Sequence, residues 1–331
     1  MLGRPGISPR SWRPTPAPKG PAPTAIEVSA HLAVPGTGPE DTLVVDDRLY
    51  TGLDDGRVLR VTLDGRRIDI VADTSGRPLG LEAHPDGRIV VCDAERGLLL
   101  LDHTSGAIQT LVPRGSHDLH VCNNAAVAAD GTIYFSDSTQ RFELTHWTAD
   151  LLEHSGTGRL LRRTPDGQVD VLVDGLQFAN GVALAPDESF VVVAQTGSYE
   201  LTRVWLTGQD AGRSETFGDI LPAFPDNLST GEDGSIWIAM ASPRTAVLDR
   251  LAGLPWLRTG VWALPEFLHP KPATTAWARA LSPAGDIVHD LYGSDDRFFM
   301  VTGVRQHGDR LYLGSLATDC IGVVDLPRAA G

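Results

Sequence analysis

A turn followed by a short strand recurs six times along this chain. Each unit has an Asp-Gly turn or a near equivalent, followed by alternating aromatic and branched residues, a pattern typical of hairpins. The six copies are VVDDRLYTGL (44–53), HPDGRIVVCD (84–93), AADGTIYFSD (128–137), APDESFVVVA (185–194), GEDGSIWIAM (231–240) and QHGDRLYLGS (306–315). A second hairpin follows most of them. Units of about four strands repeated in this way indicate radial repetition.

The predicted fold is therefore all-β, a six-bladed β-propeller over residues 26–327 with short helical lid insertions. A β-sandwich is the alternative, but six recurrences of one turn-strand unit favour the propeller. Two wider spacings between units place the insertions at about 139–158 and 242–281. The segment AIEVSAHLA (25–33) is expected to complete the last blade, which removes the free edge strands.

The N-terminal 25 residues contain seven prolines, four basic residues and no acidic residue. This composition predicts a disordered, partly polyproline-like tail. The tail lacks the apolar core of a signal peptide, and no stretch of the chain is apolar over the length of a membrane span. Three cysteines without CxxC spacing suit a reducing compartment, so the expected location is cytoplasmic.

Charge and motifs exclude several function classes. A net charge of −14 argues against nucleic-acid binding, which needs a basic face. The only lysines, Lys19 and Lys271, lie in the tail and in a proline-rich loop, which argues against a Schiff-base enzyme. GxSxG, Walker and GxGxxG motifs are missing from the sequence. The expected partner is a small, partly apolar substrate, and the oligomeric state stays open.

Four polar residues share one register with the turns. Each lies six or seven positions before the acidic turn residue of its unit, at the start of the predicted innermost strand. They are Glu40, Asn123, Asn180 and Asp226. Four blades would thus direct an oxygen-bearing side chain at one axial point, and carboxylate and amide oxygens are ligands for Ca²⁺, Mg²⁺ or Mn²⁺. The alternative is that these residues cap turns.

Several segments resemble the strictosidine synthase-like branch of the regucalcin (senescence marker protein)/gluconolactonase superfamily of six-bladed propellers. The most specific are GLQFANGVALAPDESFVVVAQT (175–196), ILPAFPDNLS (220–229) and LPEFLHPKP (264–272). The resemblance implies a divalent metal, usually calcium, held by the four residues above, with Mg²⁺, Mn²⁺ or Zn²⁺ as alternatives. In the hydrolases of this superfamily the metal polarises a lactone or phosphoester oxygen, and an Asp ligand assists water or attacks directly.

Two positions depart from the family pattern. The branch often has Asn-Asp where this chain has Asn123-Asn124, so one carboxylate is missing. The plant Pictet–Spengler enzymes carry a catalytic Glu on the last inner strand, where this chain has Thr302 or a neighbour that is also not acidic. These departures argue against strictosidine synthase activity.

The resulting hypothesis is a metal-dependent hydrolase of a lactone or other ester. Asp226 is the candidate base or nucleophile, and His120 is the reserve base. Aromatic residues in the two insertions are interpreted as an apolar substrate lid, or alternatively as rim packing; they are Trp147, Trp256, Trp262, Phe267 and Trp277. The alternatives are a non-catalytic propeller with a structural ion and a condensing or cyclising enzyme of secondary metabolism.

Overall fold

A computed structural model describes residues 4–265 and 273–327, and its strands form six sheets, which confirms the six-bladed propeller. Two short strands come first in the chain, β1 (Thr24–Ala25) and β2 (Ala30–Ala33). Blade 1 consists of β3 (Leu43–Val45), β4 (Arg48–Gly52), β5 (Arg57–Thr62) and β6 (Ile68–Asp73). Blade 2 consists of β7 (Pro78–Ala83), β8 (Ile89–Asp93), β9 (Gly97–Leu101) and β10 (Ile108–Pro113).

The remaining blades repeat this order. Blade 3 consists of β11 (Cys122–Val127), β12 (Ile133–Asp137), β13 (Gly158–Arg163) and β14 (Val169–Leu176). Blade 4 consists of β15 (Ala179–Leu184), β16 (Phe190–Gln195), β17 (Glu200–Trp205) and β18 (Ser214–Thr216). Blade 5 consists of β19 (Ala223–Thr230), β20 (Ile236–Pro243), β21 (Thr275–Leu281) and β22 (Ile287–Ser294). Blade 6 begins with β23 (Val301–His307), β24 (Arg310–Ser315) and β25 (Cys320–Asp325).

The N-terminal strand β2 closes the ring, as predicted. It pairs antiparallel with β25 from Ala30 opposite Val323 to Ala33 opposite Cys320, and so becomes the outer strand of blade 6. The sequence did not predict β1, which lies parallel to β22 and gives blade 5 a fifth strand.

Apolar side chains fill the junctions between neighbouring blades. At the junction where the ring closes, Leu32 from the N-terminal strand packs with Leu59 of blade 1 and Ile321 of blade 6. Equivalent clusters lie between the other neighbouring blades. Because each middle strand packs on both faces, β8, β9, β12 and β16 are buried along their whole length.

Both lid insertions lie on the face of the propeller where the inner strands begin, which we call the top face. The first occupies residues 138–157, and the second begins at residue 244 and ends before β21. Each connects the second and third strands of an antiparallel blade, and that connection is on the same side as the start of the first strand.

Three short α-helices occur in the described parts of these insertions. They are α1 (Trp147–Glu153), α2 (Ala246–Leu251) and α3 (Pro255–Ala263). The helix predicted from TAVLDRLAGL is α2, and the hydroxyl of Thr245 caps it by accepting a hydrogen bond from the Leu248 N–H at 3.3 Å.

The predicted limits of the second insertion, 242–281, were too wide. Residues 242–243 belong to β20 and residues 275–281 form β21, with Ile236 opposite Leu281. The sequence of β21, TAWARAL, lacks the Asp-Gly turn that marks the first strand pair of each blade, so its membership in blade 5 was not visible.

The N-terminal segment, predicted as a disordered tail, has no regular secondary structure over residues 4–23. Its backbone contacts the lid insertions: the N–H of Arg10 donates to the carbonyl of Glu153 at 2.9 Å, and the N–H of Trp12 donates to that of Ala252 at 3.2 Å. No helix within the described ranges is long and apolar enough to cross a membrane.

Neighbouring inner strands approach closely at glycine. A Cβ atom placed on Gly181 would lie 2.2 Å from the backbone nitrogen of Leu228, and one on Gly303 would lie 2.7 Å from the Cα of Asp41. These separations are shorter than van der Waals contact, so a side chain at either position requires the inner strands to move apart.

We expect Gly181→Ala to lower the free energy of unfolding by about 1–3 kcal/mol, the usual cost of overpacking a core. Gly260→Ala is the matched control, because a Cβ on this helix α3 residue meets nothing within 4 Å. Urea unfolding of both variants gives the comparison. Equal stability of the Gly181→Ala variant and the wild type would contradict the proposed close contact.

Candidate functional site

The four predicted ligand residues lie at the top of the central channel. Asn123 and Asn180 are the second residues of β11 and β15, Asp226 is the fourth residue of β19, and Glu40 precedes β3. All four are buried, with exposed fractions between 2% and 7%. We call these four side chains the oxygen ring.

Hydrogen bonds across the channel bring part of the ring together. The side-chain amide of Asn227 donates to Glu40 Oε1 at 3.0 Å, which connects blade 5 to the start of blade 1. The side chain of Asn180 lies close enough to the Asp226 carboxylate to act on its pKa in the lowering direction. On blade 6 the hydroxyl of Thr302 donates to the Glu40 carbonyl at 2.7 Å and fixes the backbone there.

Asn180 is held in place by its own blade. Its side-chain amide donates to the hydroxyl of Thr196 at 3.1 Å, and this hydroxyl donates to the carbonyl of Pro225 at 2.7 Å. Thr196 thus connects the start of β15 to the strand that carries Asp226. The position of Asn123 follows from β11, which begins one residue earlier.

Burial makes the charged forms of the ring carboxylates costly. Desolvation, followed by the neighbouring Asp226 and Asp41, raises the pKa of Glu40 well above its usual range. Desolvation raises the pKa of Asp226 to about 7, opposed by the nearby Asn180 side chain and reinforced by Asp41. Without a cation, Glu40 and Asp226 therefore favour their neutral, protonated forms.

The ring also holds acceptor atoms without partners. Glu40 Oε2, Asn123 Oδ1 and Asn180 Oδ1 are buried and make no hydrogen bond. A buried acceptor without a partner costs free energy. Three such oxygens on three blades, with the Asp226 carboxylate on a fourth, fit a hard cation that prefers oxygen ligands.

The donor set argues for some metals over others. Among the described residues no group of three or more His, Cys, Asp and Glu side chains is placed to hold a metal ion. The ring offers two carboxylates and two amides, and it lacks the nitrogen and sulfur ligands typical of zinc sites. Its chemistry therefore fits Ca²⁺, Mg²⁺ or Mn²⁺ better than Zn²⁺.

A second set of polar residues, missed from the sequence, follows the ring by one position. Asp41 Oδ2 accepts a hydrogen bond from the backbone N–H of Leu81 at 3.0 Å, and Asn124 Oδ1 accepts one from that of Val182 at 2.7 Å. Each bond connects an inner strand to that of the next blade. The paired polar residues Glu40-Asp41, Asn123-Asn124 and Asp226-Asn227 were the available signal.

The structure places His120 on the top face, toward the rim of blade 3. Its Nδ1 lies 3.2 Å from the Arg114 guanidinium, and its Nε2 lies 3.7 Å from a carboxylate oxygen of Glu143. These contacts direct the imidazole of His120 toward the ion pair of Arg114 and Glu143. The catalytic role of His120 stays a prediction.

The predicted lid aromatics divide into different environments. Trp147 is half-buried at the start of α1, Trp256 on α3 is 70% exposed, and Trp262 is buried between α1 and α3. Trp277 is not part of the lid: it lies in β21 and packs in the core between blades 4 and 5. Phe267 lies outside the described residues.

Comparisons of the sequence with known proteins identify its relatives. The strictosidine synthase family model matches residues 123–209, and the model for the N-terminal part of strictosidine synthase-like proteins matches residues 29–61. The adipocyte plasma membrane-associated protein of Salmo salar is 31% identical over 88% of this chain and 76% of its own length. Strictosidine synthase-like 10 of Arabidopsis thaliana is 31% identical over 84% of this chain and 82% of its own.

Solved structures share the fold. A gluconolactonase from Xanthomonas campestris is 20% identical, with a TM-score of 0.65 over 96% of this chain and 100% of that chain. Regucalcin from Agrobacterium tumefaciens, described as a calcium-binding protein, is 14% identical, with a TM-score of 0.64 over 92% of this chain and 98% of that chain.

The raised pKa of Asp226 predicts how the stability of the protein depends on pH when EDTA has removed divalent cations. Its folded pKa of about 7 exceeds the unfolded value of about 3.9, so the folded state binds more protons between them. The contribution of Asp226 to stability is therefore fully present below about pH 4 and is lost as pH rises through about 7. We expect the melting temperature of wild type in EDTA to fall further than that of Asp226→Asn between about pH 5 and pH 8.

Differential scanning calorimetry of both proteins across this range measures the difference. Added Ca²⁺ at the upper end should restore wild-type stability, because an ion bound only by the folded state stabilises it. Parallel pH profiles in EDTA would show that Asp226 is not held in the neutral form by burial.

Proposed function

This chain belongs to the strictosidine synthase-like family, and we propose that it is a metal-dependent hydrolase of a lactone or other ester. Glu40, Asn123, Asn180 and Asp226 would hold the cation, with Ca²⁺ the best match to their oxygen donors. When bound, such a cation withdraws electron density from an ester carbonyl and stabilises the negative charge that develops on its oxygen.

One observation carries the proposal. The oxygens Glu40 Oε2, Asn123 Oδ1 and Asn180 Oδ1 are buried without hydrogen-bond partners, and so is Asn227 Oδ1 on the residue after Asp226. Glu40 and Asp226 place two carboxylates beside them. Protonation of the carboxylates relieves their repulsion, but the amide oxygens of Asn123 and Asn180 still need a positive partner.

Asp226 is the candidate base. Burial raises the pKa of Asp226 to about 7 in the ion-free protein, and a bound cation would favour the charged carboxylate, the form that can accept a proton. Asp226 would therefore take the proton of an attacking water, or attack the carbonyl itself.

Other features bear on the type of reaction. The gluconolactonase with the same fold supports lactone chemistry, and the calcium-binding description of regucalcin supports the choice of metal. Thr302 occupies the equivalent of the Asn180 position on blade 6, and its hydroxyl is engaged with the Glu40 carbonyl. Thr302 therefore does not replace the catalytic Glu that the plant Pictet–Spengler enzymes carry at this position.

The burial of the ring favours a second candidate function. Exposed fractions of 2–7% leave little room for a substrate in the observed conformation. A propeller with a structural ion, which binds a ligand or partner elsewhere, is consistent with this burial. The cytoplasmic location stays a prediction. The relative from Salmo salar is named as plasma membrane-associated, whereas the name of the relative from Arabidopsis thaliana does not mention a membrane.

We expect Asp226→Asn to lower metal-dependent turnover by at least about 100-fold, the usual contribution of a general base. The substitution nearly keeps the side-chain shape, so calorimetry should still detect weakened cation binding. Asp118→Asn is the matched control: it removes a top-face carboxylate outside the ring, at a left-handed position (φ 56°) that Asn tolerates.

Two results would change the assignment. Wild-type rates in Asp226→Asn would show that Asp226 is only a ligand, and His120→Gln would then test the reserve base. A panel of lactones, esters and phosphoesters without metal-dependent turnover by the wild type would contradict the hydrolase and favour the structural-ion propeller.

Substrate preference follows from the aromatic side chains on the top face. Tyr199 and Phe224 pack edge to face at 4.8 Å, and Phe224 lies two residues before Asp226. We expect aromatic or medium-chain lactones to be opened about tenfold faster than sugar lactones, since apolar burial favours the larger acyl group. A comparison of kcat/KM for both classes measures this, and a preference for sugar lactones would contradict it.

A further inference from the structure

Residues 4–15 form a strap across the top face. The N–H of Arg10 donates to the Glu153 carbonyl at 2.9 Å, and the N–H of Trp12 donates to the Ala252 carbonyl at 3.2 Å. Glu153 belongs to the first lid insertion and Ala252 to the second. The strap therefore connects two insertions that arise from different blades.

Apolar packing anchors the first half of the strap. Ile7 packs against a buried cluster of Phe142, Ala149 and Trp262, which joins α1 to α3. The indole N–H of Trp262 donates to the carbonyl of Pro5 at 2.8 Å. Along this stretch half-buried and exposed residues alternate, as expected for an extended segment with one face on the protein.

Trp12 anchors the second half and connects the strap to the ring. Its indole stacks on the imidazole of His154, with centroids 4.1 Å apart and an interplanar angle of 6°. Its other neighbour is Tyr199 at 6.1 Å, which packs on Phe224, two residues before Asp226. A continuous row of aromatic rings thus leads from the strap to the strand that carries the candidate base.

The strap packs on the lid insertions, on the same face of the propeller as the starts of the inner strands that carry the oxygen ring. The residues of the oxygen ring are almost completely buried. We propose that the strap closes the top of the channel, and that Trp12 determines how readily a cation or small substrate reaches the oxygen ring. This inference rests on the proposed function only in naming a cation or small substrate as the ligand that enters.

The strap is held by local contacts that can open without unfolding the blades. Besides the two backbone hydrogen bonds, the aromatic stack and the apolar cluster, side-chain hydrogen bonds tie the strap to lid residues, among them Glu153, Arg244, Arg258 and Trp262. None of these contacts contributes to the sheets, and every strap residue is exposed or half-buried. Segments with few buried contacts open at free energies well below that of global unfolding. A removable closure reconciles a buried ring with a site that exchanges its ligand.

The first test compares Trp12→Ala with Arg13→Ala, an exposed neighbour on the strap. Trypsin cleavage after Arg10 reports strap docking, and chelator-induced release of Tb³⁺, a luminescent substitute for Ca²⁺, reports access to the ring. We expect Trp12→Ala to accelerate both by about tenfold, as appropriate for loss of a stacked aromatic pair. Arg13→Ala should behave as wild type.

The second test locks the strap with an engineered disulfide, Ser11→Cys with Gly253→Cys. The Ser11 hydroxyl lies 3.5 Å from the Gly253 carbonyl, and a Cβ on Gly253 meets no atom within 4 Å. The three native cysteines are buried, so they should not compete. We expect slow Tb³⁺ release in the oxidised form and wild-type release after reduction.

The outcomes separate the strap from the hydrolase. The proposal that the strap closes the channel would be overturned if Tb³⁺ release were equal in the oxidised and reduced forms, even if hydrolysis is intact. Unchanged Tb³⁺ release and trypsin cleavage in Trp12→Ala would overturn it as well. Strap-dependent release without hydrolysis of any substrate would support the strap and overturn the hydrolase. No Tb³⁺ binding in either redox form would overturn both.

Discussion

The inner strands of neighbouring blades approach so closely that only glycine fits at the contact. Gly181 faces the backbone of Asp226 and Asn227, and Gly303 faces that of Glu40 and Asp41. The position that follows the ring position on each inner strand therefore alternates around the channel between a polar residue and glycine. Blades 1, 3 and 5 carry Asp41, Asn124 and Asn227 there, and blades 2, 4 and 6 carry Gly80, Gly181 and Gly303.

Close approach also explains why the ring is costly without a positive partner. Glu40 and Asp226 are brought together by strand packing that neither can relax, and burial removes the water that would screen them. Asn227 offsets part of this cost through its hydrogen bond to Glu40, and the nearby Asn180 side chain acts to lower the pKa of Asp226. The oxygens Glu40 Oε2, Asn123 Oδ1 and Asn180 Oδ1 remain without partners, which is the basis of the proposed cation site.

The sequence predicts what is fixed by local register and misses what depends on distant segments. The six turns and the positions of Asn180 and Asp226 follow from counting along one strand, because side chains on a strand have a period of two. Trp277 was misplaced because nothing local marks where the second insertion ends. The contacts of Trp12 could not be predicted, since its partners His154 and Ala252 lie far away in the chain and proline-rich composition has no periodicity.

The paired polar residues divide two tasks between adjacent positions. The first residue of each pair faces the channel. Among the second residues, Asp41 and Asn124 accept backbone N–H groups from the next blade, whereas Asn227 donates across the channel to Glu40. An amide oxygen serves this second task as well as a carboxylate, so Asn124 keeps the strands together without adding charge. Burial raises the pKa of Asp41 to about 6, although the nearby Arg305 guanidinium acts to lower it. Because Asp41 has this cationic neighbour and bonds to the next blade, Glu40 and Asp226 are the two carboxylates that would balance a divalent cation in the proposed site.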